Sequence, residues 1–127
     1  MSEKRIILDT NFLLAVFELK IDIFAEIDKT YTTPYKLYIL DRTLDEVENL
    51  IKTPLLSKKL RAKAVLKLIE AKHIPTIITK DSRSVDDILV DMEGYTIATA
   101  DKELKERLKK KGRKIISIRQ KKHIIVE

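Results

Sequence analysis

Two segments of the chain end in the same way, and together they constrain the architecture. Arg5-Ile6-Ile7-Leu8-Asp9-Thr10-Asn11 is a short apolar run closed by an acid and two small polar residues. Tyr95-Thr96-Ile97-Ala98-Thr99-Ala100-Asp101 is a second apolar run that ends on Asp, with Asp101 ninety-two positions after Asp9. Runs this short, bounded by polar residues, read as buried strands of a parallel sheet. Open sheets of this kind hold their ligands at the carboxyl ends of the strands. Two strands ending in Asp therefore suggest a site that gathers negative charge. Clustered carboxylates repel unless a cation lies between them, and the usual one is a hard divalent ion.

The remaining elements are read from spacing and punctuation. Strands are expected at Lys4–Leu8, Leu37–Leu40, Ile74–Ile78, Tyr95–Thr99 and Ile115–Ile118, with a short extra strand at His123–Val126. Helices are expected at Thr10–Phe17 and Ile21–Asp28, and then from a cap at Thr43, where Glu46 completes a capping box. Further helices are expected at Lys58–Lys72 after a Ser57 cap, Val85–Met92 after Ser84, and Asp101–Lys111. Pro54, Gly94 and Gly112 act as stops. The sum is an α/β fold: a three-layer α/β/α arrangement around a mainly parallel five-stranded sheet, with His123–Val126 as an edge hairpin or extension. Residues 1–127 show no repeat, linker or composition break, so one domain is expected.

Composition narrows the class. At 127 residues, 44% apolar and 36% charged, the chain can bury a core and is not disordered. It has no Cys, which excludes disulfides and thiolate metal sites. No apolar run approaches a membrane span, and no signal-peptide core precedes the first strand, so a cytoplasmic protein without membrane contact is expected. Few Asn, Gln and Gly beside many Ile, Lys and Glu resemble thermophile usage. Charge is uneven. Residues 102–122 carry eleven Lys or Arg against Glu103 and Glu106, a local net of +9 in a chain of +6. Two readings of that segment stay open: a solvated helix face and strand edge, or a phosphate-binding surface beside an acidic pocket.

Four acids fall just after a strand or early in the following helix: Asp9, Glu46, Asp86 and Asp101. Each alone has a structural explanation, because acids there cap free N–H groups and complement the helix dipole. Parallel topology, however, puts all four on one rim. Such a cluster suits Mg2+ or Mn2+, which favour oxygen ligands and retain waters. His73 and His123 have no ligand spacing and read as surface histidines. No glycine-rich phosphate loop and no Gly-x-Ser-x-Gly is present. A phospho-acceptor domain would need an acidic pair after strand one and a Lys after strand five. Here only Asp9 follows strand one, and Arg119-Gln120 follows strand five.

The segments Leu8-Asp9-Thr10-Asn11-Phe12-Leu13, Leu44-Asp45-Glu46-Val47-Glu48-Asn49-Leu50, Val85-Asp86-Asp87-Ile88-Leu89-Val90 and Ile97-Ala98-Thr99-Ala100-Asp101-Lys102-Glu103-Leu104 resemble, in that order, the PIN-domain family of metal-dependent nucleases. The similarity spans nearly the whole chain. It is closest to the branch holding the eukaryotic small-subunit ribosomal RNA processing endonuclease and its archaeal single-domain relatives. The Asp86-Asp87 doublet and the closing Ile115–Val126 segment carry that placement.

The resemblance implies cleavage of single-stranded RNA by water activated on one or two Mg2+ or Mn2+ ions, held by Asp9, Glu46, Asp86 and Asp101. It gives Asp87 and Glu103 as weaker ligand candidates, Asn11 as a support for the first Asp, and Thr99 as the hydroxyl residue before the last. Lys102, Lys105, Lys109, Lys110, Arg113, Arg119, Lys121 and Lys122 would hold the RNA. Three roles follow: an endoribonuclease of ribosomal RNA processing or RNA turnover acting on pre-rRNA, a ribonuclease toxin with a small protein antitoxin, or a non-catalytic RNA-binding assembly protein. A homodimer is also expected. The residues around Phe12, Phe17 and Phe24 suit either its interface or the core.

Overall fold

A computed structural model of the chain describes residues 3–127. Six strands form one sheet in the order β3-β2-β1-β4-β5-β6. They are β1 (Lys4–Leu8), β2 (Tyr35–Leu40), β3 (Thr76–Ile77), β4 (Thr96–Ala98), β5 (Ile115–Arg119) and β6 (His123–Val126). The first five run parallel, and β6 returns antiparallel along β5. The helices are α1 (Thr10–Glu18), α2 (Ile23–Thr30), α3 (Asp41–Ile51), α4 (Leu56–Ala71), α5 (Val85–Val90) and α6 (Lys102–Lys110). The expected α/β class holds, with the closing segment as a sixth strand in a hairpin.

Alternation along β1 builds two cores. Ile6 and Leu8 face one side with Phe12, Leu13, Ile27, Val47 and Val65, contributed by α1 to α4. Ile7 faces the other side with Leu89, Leu104 and Leu108 of α5 and α6. Phe12 is fully buried, and Phe17 and Phe24 pack half-buried against the first core. Packing takes all of Phe12 and part of Phe17 and Phe24. Among the described residues no helix is long and apolar enough to cross a membrane.

Several boundaries differ from the expectation, for local reasons. The third helix starts at Asp41 rather than after Thr43. Its first turn is tied to the end of β3, because the Asp41 carboxylate accepts from Thr79 N at 3.1 Å and Thr79 Oγ1 at 2.7 Å. Thr43 is therefore a buried helical residue and not a cap, and the capping box with Glu46 does not form. Ser57 likewise lies inside α4, which begins after Leu55 without a side-chain cap. The third strand has only two residues. Helix α5 ends at Val90, before Gly94, whose φ of +80° turns the chain into β4. Gly112 (φ +72°) does end a helix: Gly112 N and Arg113 N bond Lys109 O and Leu108 O, closing α6 with a left-handed turn.

Candidate active site

Parallel strands bring the starts of α1, α3, α5 and α6 to one rim, as their βα order requires. Strand β1 lies between β2 and β4, so Asp9 leaves the sheet at its centre. Its backbone N–H is still bonded to Ala98 O of β4 at 2.9 Å. Only 7% of Asp9 is exposed. Its Oδ1 accepts from Thr10 N at 2.9 Å and its Oδ2 accepts from Thr99 Oγ1 at 3.0 Å. The Thr99 hydroxyl also lies 3.2 Å from Asn11 Oδ1 and accepts from Asp101 N at 3.2 Å. Asn11 Oδ1 in turn accepts from Ala100 N at 3.1 Å. Asn11 and Thr99 thus fasten the turn leading to Asp101 onto the end of β1.

A cavity of about 460 Å³ opens over this knot. Asp9, Glu46 and Asp86 all line it, together with Thr10, Asn11 and Asn49. Burial pushes the Asp9 carboxyl up to about 6, against the Thr99 and Thr10 hydrogen bonds, and the charges of Asp86 and Glu46 add to the rise. Burial also raises Glu46, helped by Asp86 and opposed by the nearby Thr10 hydroxyl and Arg42. Asp86 is raised first by burial and then by Asp101, with Arg107 opposing. Burial is the main cause of these shifts, and the mutual repulsion of the carboxylates adds to it, a repulsion that a cation seated among them would relieve.

Asp101 is the N-cap of α6 and stands beside the cavity without lining it. Its Oδ1 caps α6 by accepting from Glu103 N at 2.9 Å and Leu104 N at 3.2 Å, while its charge acts on Asp86. Asp87 is drawn away from the cavity. Its Oδ1 pairs with Arg107 Nη2 at 2.6 Å, and that guanidinium holds its carboxyl below the usual range. Of the doublet, only Asp86 lines the cavity. Glu103 is exposed in the first turn of α6, outside the cavity lining, although its charge also reaches Asp86.

All the candidates are hard oxygens, which suits Mg2+ or Mn2+. The buried Thr10 hydroxyl stands at the cavity wall with Glu46 as its nearby polar neighbour and makes no hydrogen bond of ordinary geometry among the described residues. Yet no group of three or more acids or histidines among the described residues stands at the spacing of a closed metal cage. The residues fit a hydrated ion, which needs only one or two direct carboxylates and meets the others through water. They do not form the preassembled cage of three or four acids that the resemblance suggests.

The basic segment divides in two. Strand β5 runs parallel to β4, so α6 must descend from the rim to the opposite edge of the sheet. Lys102 and Lys105 lie in its first turns. Lys110 lies about 12 Å of helix rise further on. At that far edge Lys109 pairs with Glu127 at 3.2 Å, and Arg113 Nε bonds Val90 O at 2.9 Å. Lys109, Lys110 and Arg113 are thus not brought to the cavity. Arg119, Lys121 and Lys122 return to the rim side at the tip of the β5–β6 hairpin, where residues 120–122 connect the strands and Gln120 and Lys121, the central pair of the turn closed by Lys122 N to Arg119 O at 3.1 Å, stand at φ +53° and +59°. Tyr38 and Tyr95 pack edge-to-face at 5.9 Å against the second core. Tyr31 and Tyr35 pack partly buried against the first, so none of the four is a free stacking platform.

Lys58 and Arg61 on α4, next to the cavity, were not among the candidates. Their only sequence signal was basic residues on the face of α4 beside its apolar stripe.

Comparison with known proteins agrees with this geometry. Residues 6–121 match the family model described as a PIN like domain. A relative from Methanocaldococcus jannaschii, Ribonuclease VapC4, is 32% identical over 123 residues, covering 94% of this chain and 93% of its own. The solved structure of the PIN domain endonuclease Utp24 superposes with a TM-score of 0.78 at 27% identity, covering 97% of this chain and 90% of that one. The parallel sheet, the acids on its rim and the extent of these matches lead to one conclusion: the chain belongs to the PIN-like domain family of nucleases.

Proposed function

We propose that the protein is a divalent-metal-dependent endoribonuclease that hydrolyses single-stranded RNA at the Asp9 cavity. The observation that carries this is the convergence of Asp9, Glu46 and Asp86 on one cavity, each raised first by burial and further by a neighbouring carboxylate, in a chain matched along its length to a ribonuclease. When bound, Mg2+ or Mn2+ supplies positive charge to the scissile phosphodiester and lowers the pKa of a water near it. Asp9 is the central carboxylate, held at both oxygens by Thr10 and Thr99. Asp86 and Glu46 face it from α5 and α3. Asp101 adds charge from the cap of α6, and Asn11 keeps the Asp101 turn in place. Lys102, Lys105 and the hairpin tip with Arg119, Lys121 and Lys122 screen the phosphates of the strand.

The test is cleavage of a labelled single-stranded RNA with Mg2+ or Mn2+. The expected result is cleavage abolished by EDTA and by Asp9→Asn. Equal residual cleavage by wild type and Asp9→Asn would overturn the assignment. A non-catalytic RNA-binding role is distinguished by calorimetry, since such a protein binds RNA but not Mn2+.

Within the nuclease reading, ribosomal RNA processing or turnover is proposed first, in the cytoplasm, with pre-rRNA as substrate. The toxin role is the alternative, tested by growth arrest on expression and its rescue by a small neighbouring protein. A second copy of the chain, or that inhibitor, would find its apolar surface at Leu55, Leu56 and Leu60, which are 54%, 66% and 56% exposed where α3 turns into α4.

A further inference from the structure

The acidic cavity does not end at the acids. Leu14 of α1 and Leu50 of α3 line it, and the same two residues line an adjoining cavity of about 180 Å³ whose other walls are Lys58 and Arg61 of α4. The two hollows adjoin through their shared leucines: carboxylates line the first, Leu14 and Leu50 stand between, and two cations line the second. Lys58 is exposed and makes no ion pair among the described residues. Arg61 meets only Glu18, at 3.6 Å with both side chains substantially exposed. A pair that loose is worth little and is easily exchanged for a stronger anion.

We propose that this groove is the binding path of the RNA strand, with Lys58 and Arg61 holding a phosphate next to the one at the acids, and Leu14 and Leu50 packing on the base between. The inference rests on the ribonuclease reading above and extends it to a substrate subsite. Charge complementarity selects the occupant. The acidic end accepts an anion only together with a cation, whereas the basic end accepts one directly. The apolar floor between them suits the face of a base, which packs without regard to sequence. This path lies on the α1–α3–α4 side of the sheet, whereas α6 lies on the other side and carries Lys109 and Lys110 to the far edge. Two cations outside the most basic segment of the chain therefore add their own hold on the RNA.

The experiment measures anisotropy of a fluorescent uridine oligonucleotide in Ca2+, across a salt series, with the full chain. Lys58→Ala with Arg61→Ala is compared with wild type and with Lys109→Ala/Lys110→Ala as a charge-matched control. The expected result is at least a tenfold weaker Kd for the groove variant, and a log–log salt slope lower by about 1 to 2 than wild type. The control is expected to match wild type. Cleavage of bis(p-nitrophenyl) phosphate, too short to reach α4, should persist in the groove variant, with circular dichroism confirming its fold. Unchanged affinity and slope in the groove variant would sink the proposal, as would equal losses in the control. An apolar protein segment would be the occupant instead if Leu50→Ser abolished a protein contact while RNA binding stayed intact. If wild type binds RNA and cleaves neither substrate, the ribonuclease reading fails while the path still stands on the binding data. If wild type does not bind RNA at all, both fall.

Discussion

Asp9 and Thr99 are joined by a 3.0 Å hydrogen bond across ninety residues of sequence. The hydroxyl steadies the ionised carboxylate at the point where burial opposes ionisation. Thr99→Val removes that donor and leaves a buried carboxylate oxygen unsatisfied, which costs about 1–3 kcal/mol. The Asp9 carboxyl should rise further, so the acidic limb of the rate profile should move to higher pH. A pH–rate profile for the two proteins checks it. An unmoved limb would mean that Asp9 is not the titrating group.

Asp9 also gives the metal-free fold a specific pH dependence. Its carboxyl is raised from 3.8 to about 6 in the folded state. The folded protein therefore binds this proton more tightly than the unfolded chain does, and stability falls as pH rises between those values. Above pH 6 the ionised buried carboxylate costs a few kcal/mol. Asp9→Asn should thus be more stable than wild type at pH 7 and nearly equal to it at pH 3.5, by chemical denaturation. Adding Mn2+ at pH 7 should raise the Tm of wild type by mass action and leave the variant unmoved.

The doublet should split on mutation. Asp86→Asn removes a cavity carboxylate and should lower Mn2+ affinity by tenfold or more in calorimetry. Asp87→Asn breaks an ion pair whose partners are 40% and 42% exposed, worth about 0–1 kcal/mol. Its metal affinity should stay within about twofold of wild type. Equal losses at both positions would contradict the division seen here.

The hairpin tip offers a stability prediction independent of catalysis. Gln120 and Lys121 both adopt left-handed backbone, at about 1–2 kcal/mol each for residues with a Cβ. Gln120→Asn with Lys121→Gly supplies the residues this turn favours and should raise stability by about 1 kcal/mol. RNA affinity should fall modestly with the lost charge. Thermal melts and a binding isotherm separate the two effects.

The order of the elements was legible because apolar runs and caps recur at strand–helix spacing. Asp9, Ser84 and Asp101 announced their helices correctly. The start of α3 was not legible. Thr43 and Glu46 match a capping box, but the Asp41 bond to Thr79, thirty-eight residues away, decides where that helix begins. Tertiary contacts of this kind leave no local signal. The acids of the cavity were readable from position alone. Which member of the Asp86–Asp87 doublet faces it was not, because that is settled by Arg107 on another helix. The division of the basic segment was hidden for a related reason: net charge is additive along a sequence, whereas a helix carries half of it to the other edge of a sheet.

Strand β1 is made first and sits between β2 and β4, so the centre of the sheet waits for residues near the end of the chain. A polypeptide leaving the ribosome exposes Asp9 long before Thr99 and Asp101 exist to hold and complete its surroundings. The rim of acids is thus incomplete until β4 and the turn after it have been made. Any chemistry at this rim therefore waits for contacts that span ninety residues of sequence.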